Sequence, residues 1–493
     1  MASDIYREGR LGSGVLADVV NYISSYSDDV EIFNAIVEIN IAHVIALHSS
    51  GYIDREEAAS ILRALVGIDP SILSTMPKME DAHMTIEAKV IGEAGRAGEN
   101  INLGKSRNDQ VAAAIRMRLR EYILDVVGSG ARLGLNLVDK AREFRELTMP
   151  GFTHLQPAQP VTLGYVLMAH AEEILRDLHR LIESYNRVNL SPLGAAATSG
   201  STIRLNRYAL ASLLGFKDIM RNAVDAVSSR DYMIEVLAAM LSLSIESSRL
   251  AEHLVLWSSP QFSYVELPDE YTATSSIMPH KKNPVVAELA RAKAASPLAS
   301  LVAIATILKS LPYSYNLDLQ DATPYLWRAS RDVLSTLNVL AGAVGGLKAN
   351  RDRMAKDALA GFVTGSDLAE YLTVRFGVPF RTAHKIVGRV VRRAVDEGLA
   401  WGPALREIVE SAAAGEGYSV SIPDDEFSSV VDPTEAVRRR SHVGMSGEGY
   451  DAMVADLETK LRHALSWRDV VMEELKKSHS LLEERARAIM GGV

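Results

Sequence analysis

Residues 111–126, VAAAIRMRLREYILDV, decide the fold. Val111, Ile115, Leu119, Tyr122 and Val126 recur at steps of four, four, three and four, which lines one face of an α-helix. The pattern resumes through Leu133 and Leu137 to about residue 146. Similar long patterns run over about 161–188, starting after Pro160, and over about 228–257, 284–310 and 325–347. Each exceeds the roughly 11–12 residues of an average globular helix. Five such helices in succession predict an elongated bundle and an all-α chain. Helices of this length expose much apolar face, so a homo-oligomer that buries faces between subunits is expected.

The rest of the chain divides around that bundle. With 493 residues it exceeds what one hydrophobic core supports, and two or three domains are expected. Residues 1–110 form an N-terminal helical domain, 111–357 the central bundle, and 358–493 a smaller helical domain of shorter pieces. No strand alternation stands out. An apolar share of 47% with 23% charged residues places the chain among globular proteins rather than disordered ones. The net charge of −9 and the lack of a dominant Lys/Arg block argue against nucleic acid as partner. The cluster RVVRRAV at 389–395 reads as a solvated helix face. There is no cysteine, which excludes disulfides and thiolate chemistry. No uncharged apolar run reaches the roughly 18 residues of a membrane span. The N-terminus has no apolar signal core. A cytoplasmic protein with no membrane partner is the expectation.

The connections between the helices carry unusual chemistry. GKSRNDQ, 104–110, precedes the first long helix. Asn108 or Asp109 can cap that helix, whose N–H groups favour an anion, and Arg107 offers a planar fork to a carboxylate. A plain cap with a surface Arg accounts for the heptapeptide equally well. GFTHLQPAQP, 151–160, reads as a Pro-bounded loop crowding Thr153, His154, Gln156 and Gln159. A histidine titrates near neutrality and suits proton transfer, though a lone one is more often structural. TSSIMPHKKNP, 274–284, places two hydroxyls, a His, a Lys pair and an Asn between two prolines. Glu288 follows on the next helix, where a carboxylate can orient an imidazole or merely sit in a solvated first turn. LPYSYNLDLQ, 311–320, adds Tyr315, Asn316 and Gln320. MEDAH, 79–83, holds Glu80, Asp81 and His83, without an evident three-ligand metal set. SSYSDD, 24–29, reads as an N-cap.

Together these segments resemble the argininosuccinate lyase family of the fumarase/aspartase superfamily. EDAH, SRNDQ, THLQPAQP, SSIMPHKKNP and YNLDLQ occur in the family's order across residues 25 to 320, with VPFRTAH at 378–384 similar in outline. The resemblance implies a fumarase/aspartase-like three-domain homotetramer with sites shared among three subunits. It also implies reversible cleavage of argininosuccinate to arginine and fumarate, with no cofactor and no metal. By position, Ser275 is the catalytic serine, and Lys281 and Asn283 meet developing negative charge. His154, oriented by Glu288, is the second acid/base group. Ser25, Arg107, Asn108, Thr153, Asn283, Tyr315 and Gln320 contact substrate, with Asp81 and His83 in support. Thr274 stands where the family has Gly, His280 where Gln is common, Lys105 where Arg is usual, and Thr323 where a substrate-binding Lys is usual. Two other outcomes stay open: another fumarate-releasing substrate such as adenylosuccinate, or a non-catalytic crystallin-like paralogue.

Overall fold

The computed structural model describes residues 14–76, 79–440, 442 and 444–491. The N-terminal stretch read above as lacking a signal core lies almost wholly outside these residues. The principal helices are α1 (Phe33–Ser49), α2 (Arg55–Leu65), α3 (Ala82–Ala94), α4 (Arg107–Glu143), α5 (Leu163–Val188), α6 (Asp231–Ser258), α7 (Val285–Lys293), α8 (Ala295–Leu308), α9 (Asp318–Gly345) and α10 (Gly447–Met490).

The 37-residue α4 is the axis of the bundle, and it packs against α5, α9 and α10. Its GSGARLG run explains how tightly. A Cβ at Gly130 would meet Leu178 of α5 at 2.7 Å, and one at Gly134 would meet Leu461 of α10 at 2.6 Å. Only glycine lets the neighbouring Leu side chains seat there. Trp327 of α9 is fully buried and stacks on Tyr122 of α4 with centroids 6.0 Å apart. One apolar core joins α1 to α6, α9 and α10, while residues 368–431 hold a separate core of their own. The 44-residue α10 thus returns from the C-terminal part of the chain to the central bundle.

Three details differ from the periodicity. The expected helix over 284–310 is two helices, α7 and α8, meeting at Ala294. The helix expected from 325 begins at Asp318 and contains Pro324. Proline supplies no N–H to the carbonyl four residues back. That carbonyl, Gln320 O, accepts instead from the Thr323 hydroxyl at 2.8 Å. The stretch 151–160, read as a loop, lies within an antiparallel hairpin of β1 (Thr148–Thr153) and β2 (Gln156–Thr162), with an irregularity between Pro150 and Phe152. Pro157 and Pro160 hide it from a sequence reading, because prolines argue against a central strand; an isolated two-stranded ribbon tolerates them at its edges.

Two segments, Asp29–Ser49 and Val285–Leu308, have the length and apolarity of a membrane span. The first is apolar because most of it packs in the core. Little of the second is fully buried, with Leu289, Leu298 and Val302 on its surface, and it carries Glu288, Arg291 and Lys293.

Candidate active site

The expected site residues fall into three groups. The first converges at the N-terminal end of α4. Ser106, rather than Asn108 or Asp109, is the N-cap, and Asp109 closes a capping box with it. Asp109 also accepts from the Gly194 and Ala196 amides at 3.0 and 2.9 Å, which pins the 194–200 turn to the helix start. Burial pushes its carboxyl up to about 6. Asn108 donates to Ala197 O at 3.2 Å on that same turn. Arg107 pairs with Asp81 at 2.5 Å, and Asp81 caps α3 by accepting from the Met84 amide at 2.7 Å.

Ser25 joins this group through its amide, which donates to Glu80 O at 3.2 Å, and through its hydroxyl, which donates to Asp29 at 2.9 Å. Asp29 also accepts from the Ala82 amide at 2.9 Å. Burial pushes the Asp29 carboxyl up to about 7, and the Asp81 charge adds to the effect. The sequence reading overlooked Asp29, treating SSYSDD as a simple cap; the paired acids beside Ser25 were the available signal. Gln320 donates to Ile23 O at 2.7 Å, which ties the start of α9 to the same corner. Tyr315 lies within the field of Asp29, Asp81 and Arg107. A polar cavity of about 400 Å³ opens beside Arg107, lined among others by Asn40, Glu87, Asn102 and Lys105. Lys105 donates to Asn40 there, and loss of water contact pulls its ammonium down to about 7.

His83 is buried in this corner, with Nδ1 2.8 Å from Gln110 Oε1. A carboxamide oxygen only accepts, so Nδ1 carries the proton and Nε2 is an acceptor. Burial pushes His83 from 6.5 down to about 4. Between those values the unfolded chain takes up a proton that the folded chain refuses. The folded state therefore loses stability as pH falls from 6.5 towards 4. In His83→Gln the loss over that window is shallower, by up to about 1.4 kcal/mol per pH unit. Unfolding midpoints of the two proteins between pH 7 and 4.5 check this; parallel curves would place the acid sensitivity elsewhere.

The second group is the hairpin tip. Thr153 pairs with Gln156, and the two residues between them, His154 and Leu155, have φ of 56° and 57°. Two consecutive left-handed residues make the tight turn that matches strand twist, usually formed by Asn-Gly. A His in that conformation is uncommon and marks a position held for a reason. Thr153 and His154 are both exposed. Phe152 anchors the ribbon edge-on against Phe262, with centroids 5.8 Å apart.

The third group is the loop leading into α7. Ala273 and Asn283 exchange backbone bonds of 3.0 and 2.7 Å and close its base. Ser275 Oγ accepts from the Ile277 and Met278 amides at 3.3 and 3.2 Å. Two N–H donors on one oxygen favour its anionic form. The Lys pair divides in two. Lys282 is tied to Glu266 and Asp269 at 2.8 and 2.6 Å, whereas Lys281 makes no ion pair among the described residues. None of residues 272–284 has positive φ, so Thr274 is accommodated without the conformational freedom of glycine. Glu288 is exposed in the first turn of α7. Among the described residues, no hydrogen bond or ion pair joins it to His154 within the chain, and none joins His154 to Ser275. No group of three or more His, Asp or Glu side chains is set to hold a metal ion among the described residues.

Comparison with known proteins places these segments in a family. A family model described as Lyase matches residues 31–296, and one described as Argininosuccinate lyase C-terminal matches residues 362–438. The argininosuccinate lyase of Methanothermobacter thermautotrophicus is 42% identical over 88% of this chain and 94% of its own. That of Methanothrix thermoacetophila is 39% identical over 99% and 98%. Among solved structures, EDDS lyase in complex with formate is 29% identical and aligns with a TM-score of 0.84 over 100% of this chain and 98% of that one. A class II fumarase from Schistosoma mansoni, 16% identical with a TM-score of 0.69 over 83% and 91%, shares the fold. With two family models and near-full-length relatives in agreement, the chain belongs to the argininosuccinate lyase family of carbon–nitrogen lyases.

Proposed function

We propose that the chain cleaves argininosuccinate reversibly to arginine and fumarate, as a cytoplasmic enzyme of arginine biosynthesis that needs no cofactor. The observation that carries this reading is the full-length likeness to argininosuccinate lyases, together with Ser275 and His154 both present in built positions. A chain kept only as a structural paralogue has no requirement for either.

Ser275, ionised to its alkoxide, takes the proton on the carbon next to a substrate carboxylate and becomes a hydroxyl. Its oxygen is prepared for this by the two amides it accepts from. The electron pair moves into that carboxylate, giving an aci-carboxylate dianion. Lys281 and Asn283 stabilise the growing charge, which exists fully only at the transition state and intermediate. The dianion then expels the guanidino nitrogen, its electrons becoming the double bond of fumarate. His154, oriented by Glu288, protonates the departing nitrogen. Ser25, Arg107, Asn108, Thr153, Tyr315 and Gln320 hold the substrate, and Asp81 and His83 support Arg107 and the pocket wall.

The three groups require one another within hydrogen-bond reach of one substrate. A homotetramer, with each site assembled from three subunits, supplies that. The exposed apolar residues of α7 and α8 offer surface for such an assembly. The domains of this reading are 1–110, 111–357 and 358–493, the last sending α10 back against the bundle.

Purified protein mixed with argininosuccinate produces fumarate, followed by its ultraviolet absorbance. Adenylosuccinate in the same assay produces none. Turnover of adenylosuccinate alone would replace the assigned substrate.

A further inference from the structure

The cavity beside Arg107 holds a cation and an anion that do not meet. Lys105 and Glu87 both line it, and no ion pair joins them among the described residues. The Lys105 ammonium carries three donors and commits one, to Asn40 Oδ1. Glu87 Oε2 is buried and has no hydrogen-bond partner among the described residues. His83 lines the same cavity at 5% exposure, and its Nε2, the acceptor of the ring, is equally unpartnered there. Gln110 and Asn102 also line it, but Gln110 is already bonded to His83 and to Asn102.

An ion withdrawn from water is unfavourable unless a partner reaches it. The effect shows at both ends of this couple. Loss of water contact pulls the Lys105 ammonium down to about 7, and burial raises the Glu87 carboxyl above its usual range. A simple anion in the gap answers Lys105 and is repelled by Glu87; a simple cation does the reverse. The group that complements one ammonium and two acceptors carries both charges a short distance apart. The head group of a free α-amino acid does so, because its ammonium and carboxylate share one carbon. The cavity, at about 400 Å³, lies within the roughly 300–1,000 Å³ of small-molecule pockets.

We propose that this cavity is a second binding site, separate from the one that holds the reacting atoms, and that it takes a free α-amino acid. The carboxylate of the ligand accepts from Lys105, and its ammonium donates to Glu87 Oε2 and His83 Nε2. L-Arginine is the amino acid that the reaction proposed above releases, so its choice as occupant rests on that reaction. Bound there it lies against His83 and Arg107, which couples the level of product to the wall of the catalytic pocket.

Calorimetric titration of the full-length enzyme with L-arginine tests the site. The wild type shows two binding events per chain, one in the catalytic pocket and one in this cavity. In Glu87→Gln, which keeps the shape and removes the charge, one event weakens by about 10- to 100-fold and the other is unchanged. Agmatine, which lacks the carboxylate, gives no event that responds to Glu87→Gln. A crystal structure of the wild type grown with L-arginine gives the same answer should the variant fail to fold, with the carboxylate on Lys105 as the expected result. Arginine events that all ignore Glu87→Gln, events that weaken together, an agmatine event that responds to it, or a cavity without arginine in that crystal each overturns the assignment. A wild type that releases no fumarate from argininosuccinate overturns the reaction proposed above instead, and the response of arginine binding to Glu87→Gln still decides this site.

Discussion

Ser275→Ala lowers the rate of fumarate release by at least about 10³-fold and leaves the protein folded and assembled. The size of the effect follows from the difficulty of the step. A proton next to a carboxylate is weakly acidic, so the base must be both placed and activated. Ser275 is the hydroxyl in its loop whose oxygen takes two backbone amides, and alanine retains nothing able to accept a proton. The structural cost is small by comparison. Ser275 is part-exposed, so the two amides it leaves regain water, for a loss of about 1 kcal/mol or less. The loop base is closed by backbone bonds between Ala273 and Asn283 and tethered by Lys282, none of which involves the Ser275 side chain. Steady-state kcat, the unfolding midpoint and the solution mass check the claim together. Activity within about tenfold of wild type would remove Ser275 from proton transfer.

What the sequence reveals about this molecule depends on how local the cause is. The long helices are legible because a face repeating every 3.6 residues is written in consecutive letters, as from Val111 to Val126. The hairpin is not, because its prolines contradict strand propensity and its turn uses His154 and Leu155 rather than Asn-Gly. The break at Ala294 leaves the apolar pattern of 284–310 uninterrupted, so periodicity passes over it. α10 is obscured in a different way. Its core contacts, such as Tyr450, Leu461 and Leu482, are widely spaced among charged residues.

The same rule governs the site. Polar residues crowded between helix breakers, as around Ser275, announce chemistry from the sequence alone. Partners that meet from distant segments do not. Asp29 accepts from the Ala82 amide 53 residues away, and Asp109 accepts from the Gly194 and Ala196 amides 85 and 87 residues away. Thr323 shows a local oddity with a local cause. The residue departs from the family's Lys, and its hydroxyl occupies the carbonyl that Pro324 leaves without a donor. A substitution that looks like a lost substrate contact thus also repairs a helix.

Mixing inactive His154→Asn subunits with inactive Ser275→Ala subunits restores activity to about one quarter of wild type. The hairpin carrying His154 packs on the helices Arg351–Ala360 and Pro433–Arg438, whereas α7, which follows the Ser275 loop, packs on α6 and α9. The proposed mechanism nevertheless has both side chains flank one carbon–nitrogen bond. If each site draws the loop from one copy and the hairpin tip from another, random equal mixing gives each segment an even chance of being intact. The product is about one site in four, against essentially none in either parent. If instead one chain supplied both groups, every chain in the mixture would carry a lesion and no hybrid could recover. Reversible unfolding of the mixture allows exchange, and native mass spectrometry of isotopically distinct subunits verifies it. Hybrid assemblies with no recovered turnover would place His154 and Ser275 in a site built by a single chain. Recovery near one quarter requires them to come from different copies, and it explains why His154 and Ser275 sit on segments that no hydrogen bond joins within a single chain.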